Sequence, residues 1–86
     1  MSHQKEVAVL FGTGSIGQAI IRRIGAGKHI VLADYRLENA QKAAVALENA
    51  GYECSTLKAD LGSRDDIRKV VDEAVKRGNV KNVVNA

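Results

Sequence analysis

Three glycines fall within six positions of an 86-residue chain, in the stretch Gly12-Thr13-Gly14-Ser15-Ile16-Gly17. The stretch follows the apolar run EVAVLF and precedes residues with the spacing of a helix. The chemistry open to such a loop is anion binding by the main chain. Gly12 permits a tight turn off a strand. Gly14 has no Cβ to hold a pyrophosphate away from the backbone, and Gly17 lets the following helix lie close to the strand. Ser15 and Ile16 then stand in the first helical turn, where unpaired N–H groups and the positive end of the helix dipole meet a phosphate. A plain turn without ligand is the alternative, and three glycines at this spacing exceed what a turn needs.

A carboxylate extends the pattern. Asp34 closes a second apolar run, HIVLAD, 22 residues after Gly12. There it can accept hydrogen bonds from both hydroxyls of a ribose and repel a 2′-phosphate, which favours NAD over NADP. Arg36 argues the other way, since a guanidinium suits a phosphate, or it lies against adenine. NAD is therefore the expected cofactor, with NADP the alternative. Asp60-Leu61 follows a third run on the same sheet edge as the glycine loop. Asp60 can meet the adenine amino group with Leu61 flanking the ring, or it is an ordinary turn or cap residue.

Other chemistries are disfavoured. Lys and Arg number 13 against 10 Asp and Glu, a net charge of +3, but the signs are interleaved, as in SRDDIRKVVDEAVKR. That is a solvated mixed-charge face and not a nucleic-acid surface. Cys54 is the single cysteine, so no intrachain disulfide is possible, which fits a reducing cytoplasm. Cys54, His3 and His29 have neither the spacing of a metal site nor that of a nucleophile and its base. No stretch has the length of a membrane span or the form of a signal peptide.

The elements that must position these residues alternate regularly. Strands are expected at 6–11, 29–34, 52–60 and 80–86, with helices at 15–25, 37–51 and 63–78. The first helix carries Ile16, Ala19, Ile20 and Ile24 at helical spacing, and the third carries Ile67, Val70, Val71, Ala74 and Val75. Ser63 is the expected N-cap of the third, with Asp65 and Asp66 in its first turn and Gly78 at its end. The order β-α-β-α-β-α-β implies one α/β domain, a Rossmann-like three-layer fold with a parallel sheet in strand order 3-2-1-4. The fourth strand is an edge, and an open apolar edge leads one to expect a homo-oligomer, with two copies paired along it.

The glycine loop 12–17, LADYR (32–36), ADL (59–61) and VVNA (83–86) together resemble the N-terminal half of a short-chain dehydrogenase/reductase, and the resemblance covers essentially the whole chain. It implies hydride transfer between a nicotinamide and a small alcohol or carbonyl. It also implies adenine contacts by Asp60-Leu61, a cofactor-lining turn at Asn85-Ala86, and cofactor contacts by Tyr35 beside Asp34 and Arg36. The common family loop is T-G-x-x-x-G-x-G. Here Phe11 stands in place of the Thr, and the loop is one residue shorter between its outer glycines. The family's Tyr-x-x-x-Lys acid/base pair is absent, since Tyr35 is followed by Asn39 and Tyr52 by Thr56 at that interval. Residues 1–86 are thus expected to be the cofactor half of a longer enzyme, a fragment inactive by itself. Two other readings stand beside this one. An S-adenosylmethionine-dependent methyltransferase also has a glycine-rich first loop, but it carries an acid before the first glycine, where this chain has Leu10. A non-enzymatic nucleotide-binding module is the other.

Overall fold

The central strands read as unbroken apolar runs because both of their faces are covered. In the computed structural model, which describes residues 4–86, the elements are β1 (Glu6–Phe11), α1 (Ser15–Ile24), β2 (His29–Asp34), α2 (Leu37–Asn49), β3 (Glu53–Lys58), α3 (Arg64–Arg77) and β4 (Asn79–Asn85). His3 lies outside the described residues. All strand pairings are parallel and the order is β3-β2-β1-β4, as the alternation of elements implies.

Side chains two apart on a strand share a face, and the two faces build two cores. Ala8 and Leu10 of β1 and Ile30 and Leu32 of β2 pack with Ile21 of α1 and with Ala40, Ala43, Ala44 and Leu47 of α2. Val7, Val9 and Phe11, with Val31 and Ala33, pack on the other face with Val70 and Ala74 of α3. Each fully buried Leu or Ile contributes about 1.5–3 kcal/mol. The alanines of α2 let that helix approach the sheet closely.

Two helical faces differ from the expected stripes. On α1 the buried positions are Gly17 and Ile21, whereas Ile16 is 74% exposed and Ala19 faces solvent. The helix turns its glycine to the sheet, because that is the side on which it can come closest. On α3, Val70 and Ala74 are buried, but Val71 and Val75 remain largely exposed. They border an apolar groove with Phe11, Val80 and Val83. Val83 reaches that side because the register with β1 shifts between Val7 and Ala8, whose partners are Val80 and Asn82. Such an extra residue on an edge strand is a β-bulge. The caps of α3 are as expected: Ser63 Oγ accepts from the Asp66 N–H at 3.2 Å, and the Gly78 N–H donates to the Ala74 carbonyl.

The parallel order brings the C-terminal ends of the strands to one edge, and hydrogen bonds beyond the ladder tie them there. Gly12 N donates to Ala33 O, Ala59 N to Asp34 O and Ala86 N to Phe11 O, each at 2.9 Å. The opposite edge is fastened by a polar staple. His29, buried under α3, donates from Nδ1 to Glu53 Oε2 at 2.5 Å, and its Nε2 meets Ser55 Oγ at 2.9 Å. The hydrogen bond from His29 outweighs the effect of burial and holds the Glu53 carboxyl below its ordinary value of 4.5, with Lys5 helping. A carboxyl lowered in the fold stabilises it above the unfolded pKa, and that contribution is lost as pH falls through the folded pKa. Thermal midpoints of the native protein should therefore drop more steeply below pH 4.5 than those of Glu53→Gln. Parallel curves for the two proteins would remove Glu53 as a source of acid lability.

Candidate functional site

The turn from β1 into α1 assigns separate tasks to the three glycines. Gly12 has φ +86°, a conformation that L side chains rarely adopt, and a Cβ there would collide with the Ala86 carbonyl. A Cβ on Gly17 would lie 2.6 Å from the Gly12 carbonyl oxygen and 2.9 Å from Leu10 Cδ1. A Cβ on Gly14 would meet nothing within 4 Å. Two glycines are thus demanded by the protein's own packing, while the third leaves open space above the loop.

That space is a cleft of about 350 Å³ lined by Gly12, Thr13, Gly14, Ser15, Ile16, Gly17, Asp34 and Ala86. Gly14 is the N-cap of α1, and no side chain caps the helix. Gln18 N reaches the Gly14 carbonyl at 3.0 Å, so the N–H groups of Ser15, Ile16 and Gly17 precede the first intrahelical bond. No acid stands in the first turn of α1, in contrast to Glu38 in α2 and Asp65 and Asp66 in α3. The residues present therefore fit a phosphate-bearing ligand: bare donors, a favourable dipole and no competing carboxylate in that turn.

Asp34 stands at the rim of the cleft with its carboxylate already held. Oδ2 accepts from Thr13 N at 2.9 Å and from Thr13 Oγ1 at 2.7 Å, and Oδ1 accepts from Arg36 N at 3.0 Å. Burial pushes the carboxyl up, but the Arg36 and Thr13 amides, the Thr13 hydroxyl and Asn39 outweigh it and hold the group below its ordinary 3.8. Thr13 is 3% exposed, and its carbonyl accepts from Gln18 Nε2 at 2.9 Å. Sequence reasoning missed Thr13. The signal was its place between two glycines, but its partner became visible only when β2 was laid beside β1.

A second cleft of about 270 Å³ adjoins the first and shares Gly12 and Asp34 with it. Phe11, Ala33, Tyr35, Ala59, Asp60 and Leu61 complete its lining. Tyr35 and Leu61 are exposed there, at 65% and 47%. Asp60 does serve its own turn: Oδ1 accepts from Gly62 N at 2.8 Å, and its N–H donates to Asp66 Oδ2 at 2.9 Å. The structure thus brings together ten of the twelve residues singled out from the sequence, all but Arg36 and Asn85 lining one or both clefts. Arg36 contributes its main-chain N–H to Asp34 while the residue itself is exposed. Asn85 ends β4 opposite Phe11. A polar notch between Thr13, Gly14, Gln18, Asn39 and Lys42 was not anticipated.

Among the described residues the remaining chemistry-bearing groups do not form a site. Burial pushes the Cys54 thiol up to about 11, so it is protonated and unreactive at neutral pH. Among the described residues no group of three or more His, Cys, Asp or Glu is placed to hold a metal ion, and no helix is long and apolar enough to cross a membrane.

Comparison with known proteins places this geometry. The chain is 32% identical over 76 residues to the short-chain dehydrogenase/reductase bsc3 of Alternaria brassicicola, covering 88% of this chain and 28% of that protein. It spans 12–28% of the length of the curated relatives it matches. Among solved structures, a metagenomic short-chain oxidoreductase in complex with NADP superposes with a TM-score of 0.79 at 27% identity, over 96% of this chain and 39% of that one. A putative D-mannonate oxidoreductase from Haemophilus influenza with bound NAD has the same fold, with a TM-score of 0.76 at 17% identity over 91% of this chain and 29% of that one. Residues 5–86 match the short chain dehydrogenase family, and with the strand order of the parallel sheet in agreement, the chain belongs to that family.

Proposed function

We propose that these residues form the dinucleotide site of a nicotinamide-dependent oxidoreductase, and that NAD(H) is its cofactor. The observation that carries the reading is the cleft above Gly14, where three helix N–H groups stand free of intrahelical partners and Asp34 borders the opening. In this reading Gly12, Gly14, Ser15, Ile16 and Gly17 hold the pyrophosphate, and Asp34 meets the adenosine ribose. Tyr35, Asp60 and Leu61 surround the adenine, and Asn85 and Ala86 border the way toward the nicotinamide. The relatives that carry NAD or NADP support a nicotinamide dinucleotide. The position of the Asp34 carboxylate at the rim of the cleft supports the form without a 2′-phosphate, because its negative charge repels that group.

When bound, the nicotinamide supplies or accepts the hydride exchanged with an alcohol or carbonyl. The residues of this chain bind and orient the cofactor. A Tyr-x-x-x-Lys pair does not occur among residues 1–86, so none of them is assigned the acid/base role. Fluorescence titration tests the proposal. NADH should bind at least about tenfold more tightly than NADPH, from the like-charge repulsion at Asp34. Tighter binding of NADPH, with the preference removed by Arg36→Ala, would assign the 2′-phosphate to Arg36 and overturn the choice of NAD.

A further inference from the structure

The two carbonyls that flank the Cα of Gly14 are held by one residue. Gln18 N donates to the Gly14 carbonyl at 3.0 Å, and Gln18 Nε2 donates to the Thr13 carbonyl at 2.9 Å. The first bond opens the ladder of α1, as in any helix. The second is a side-chain bond that the helix does not need, and it falls where the loop is least constrained. Thr13 is fixed on its N-terminal side, because its N–H and hydroxyl are given to Asp34. The peptide between Thr13 and Gly14 is not fixed in that way. Turning a peptide over changes mainly ψ of the residue before it and φ of the residue after it, and a glycine in the second place accepts φ of either sign. Gly14, which leaves room for a ligand, thus also leaves this peptide free to turn.

The orientation that Gln18 selects follows from peptide geometry. A trans peptide points its C=O and N–H in opposite directions, and none of the described peptide bonds is cis. Gln18 lines the polar notch and is absent from the wall of the cleft above Gly14. A Thr13 carbonyl held on the notch side sends the Gly14 N–H to the cleft side, and among the described residues nothing accepts from that N–H. Turned over, the same peptide presents a carbonyl oxygen to the cleft, where it repels a phosphate. We propose that Gln18 is a positioning residue for a diphosphate, an inference that rests on the dinucleotide reading above. It holds the Thr13–Gly14 peptide with its N–H toward the cleft, which makes Gly14 a fourth main-chain donor beside Ser15, Ile16 and Gly17. Gln18 acts from behind the loop, without touching the ligand, and what it supplies is preorganisation.

Methionine has nearly the length of glutamine and no N–H to donate. The probes are ADP, which carries a diphosphate, and adenosine, which carries none, each titrated against the native protein and Gln18→Met and followed by nitrogen-edited NMR. In the native protein the Gly14 amide proton should move downfield as ADP saturates the site and stay in place with adenosine, because a charged acceptor forms the stronger hydrogen bond. Gln18→Met should bind ADP about tenfold more weakly, keep its affinity for adenosine within about twofold, and lose the downfield movement of Gly14. A merely structural role would weaken ADP and adenosine by the same factor, which would overturn the proposal. So would a Gln18→Met protein that binds ADP within about twofold of the native affinity. The native spectrum decides even where Gln18→Met fails to fold: a Gly14 amide that stays in place while ADP binds overturns the proposal, and one that moves with ADP alone supports it. A native protein that binds neither ADP nor NADH defeats the dinucleotide reading and this inference with it, an outcome distinct from ADP binding that leaves Gly14 unmoved.

Discussion

Replacing Gly14 by valine is expected to lower NADH affinity by at least about 100-fold while the fold stays intact. The two halves of this expectation come from separate observations. Gly14 has φ −75° and ψ −176°, an extended backbone open to any residue, and its added Cβ would meet nothing in the protein. The variant should therefore lose only about 1 kcal/mol of stability, the difference between a tolerated and a poor N-cap. The same open space is where a pyrophosphate must approach the N–H groups of Ser15, Ile16 and Gly17. A branched side chain there prevents charge-assisted hydrogen bonds of about 1.5–3 kcal/mol each, and two such losses exceed a factor of 100. Calorimetric titration with NADH, beside far-ultraviolet circular dichroism and a urea midpoint, measures both halves. Gly14→Ala should fall between valine and the native protein. Unchanged affinity in a folded Gly14→Val would mean that the turn is a turn and that the ligand lies elsewhere.

The glycine loop, the strand order and Asp34 were legible in the sequence because each follows from a local rule. A Gly-rich turn between an apolar run and a helix has few other uses, and alternating strands and helices allow few topologies. What stayed hidden depends on contacts between elements. The bond from Thr13 to Asp34 joins residues 21 apart and exists only because β1 and β2 run side by side. The packing face of α1 was only partly legible for a related reason. Hydrophobic spacing counts side chains, so Ile16, Ile20 and Ile24 suggest a stripe, yet the face nearest the sheet is marked by Gly17, which has no side chain to count. The extra residue in β4 leaves no trace in VKNVVNA, because either valine of the Val83-Val84 pair can supply the apolar face. Asp60 shows the limit from the other side. Its sequence position suits both an adenine contact and a turn, and the structure gives it the turn while leaving it on the wall of the second cleft.

Gly17→Val should show the opposite profile from Gly14→Val, and the contrast separates the packing role of the loop from its binding role. Gly17 is buried, and its Cβ would press on the Gly12 carbonyl oxygen at 2.6 Å and on Leu10 Cδ1 at 2.9 Å. The first of these is backbone, already fixed by the Gly12 N–H bond to Ala33 O, so it has little room to yield. The relief available is to lift α1 from the sheet, which uncovers Leu10 and Ile21 in the larger core. Overpacking of this kind costs about 3 kcal/mol. A domain of 86 residues has a total stability of roughly 4–13 kcal/mol, so the loss is a large part of the whole. The urea midpoint of Gly17→Val should fall accordingly. Thermal shifts then distinguish the two variants. A ligand that binds the folded state raises its stability by mass action, so high NADH should recover part of the midpoint in whatever fraction of Gly17→Val still folds. The same NADH should move the midpoint of Gly14→Val far less than that of the native protein, because the variant is folded and binds the ligand at least about 100-fold more weakly. A Gly17→Val protein within about 1 kcal/mol of the native stability would show that α1 has slack against β1, and the close approach of helix to strand would cease to explain the third glycine.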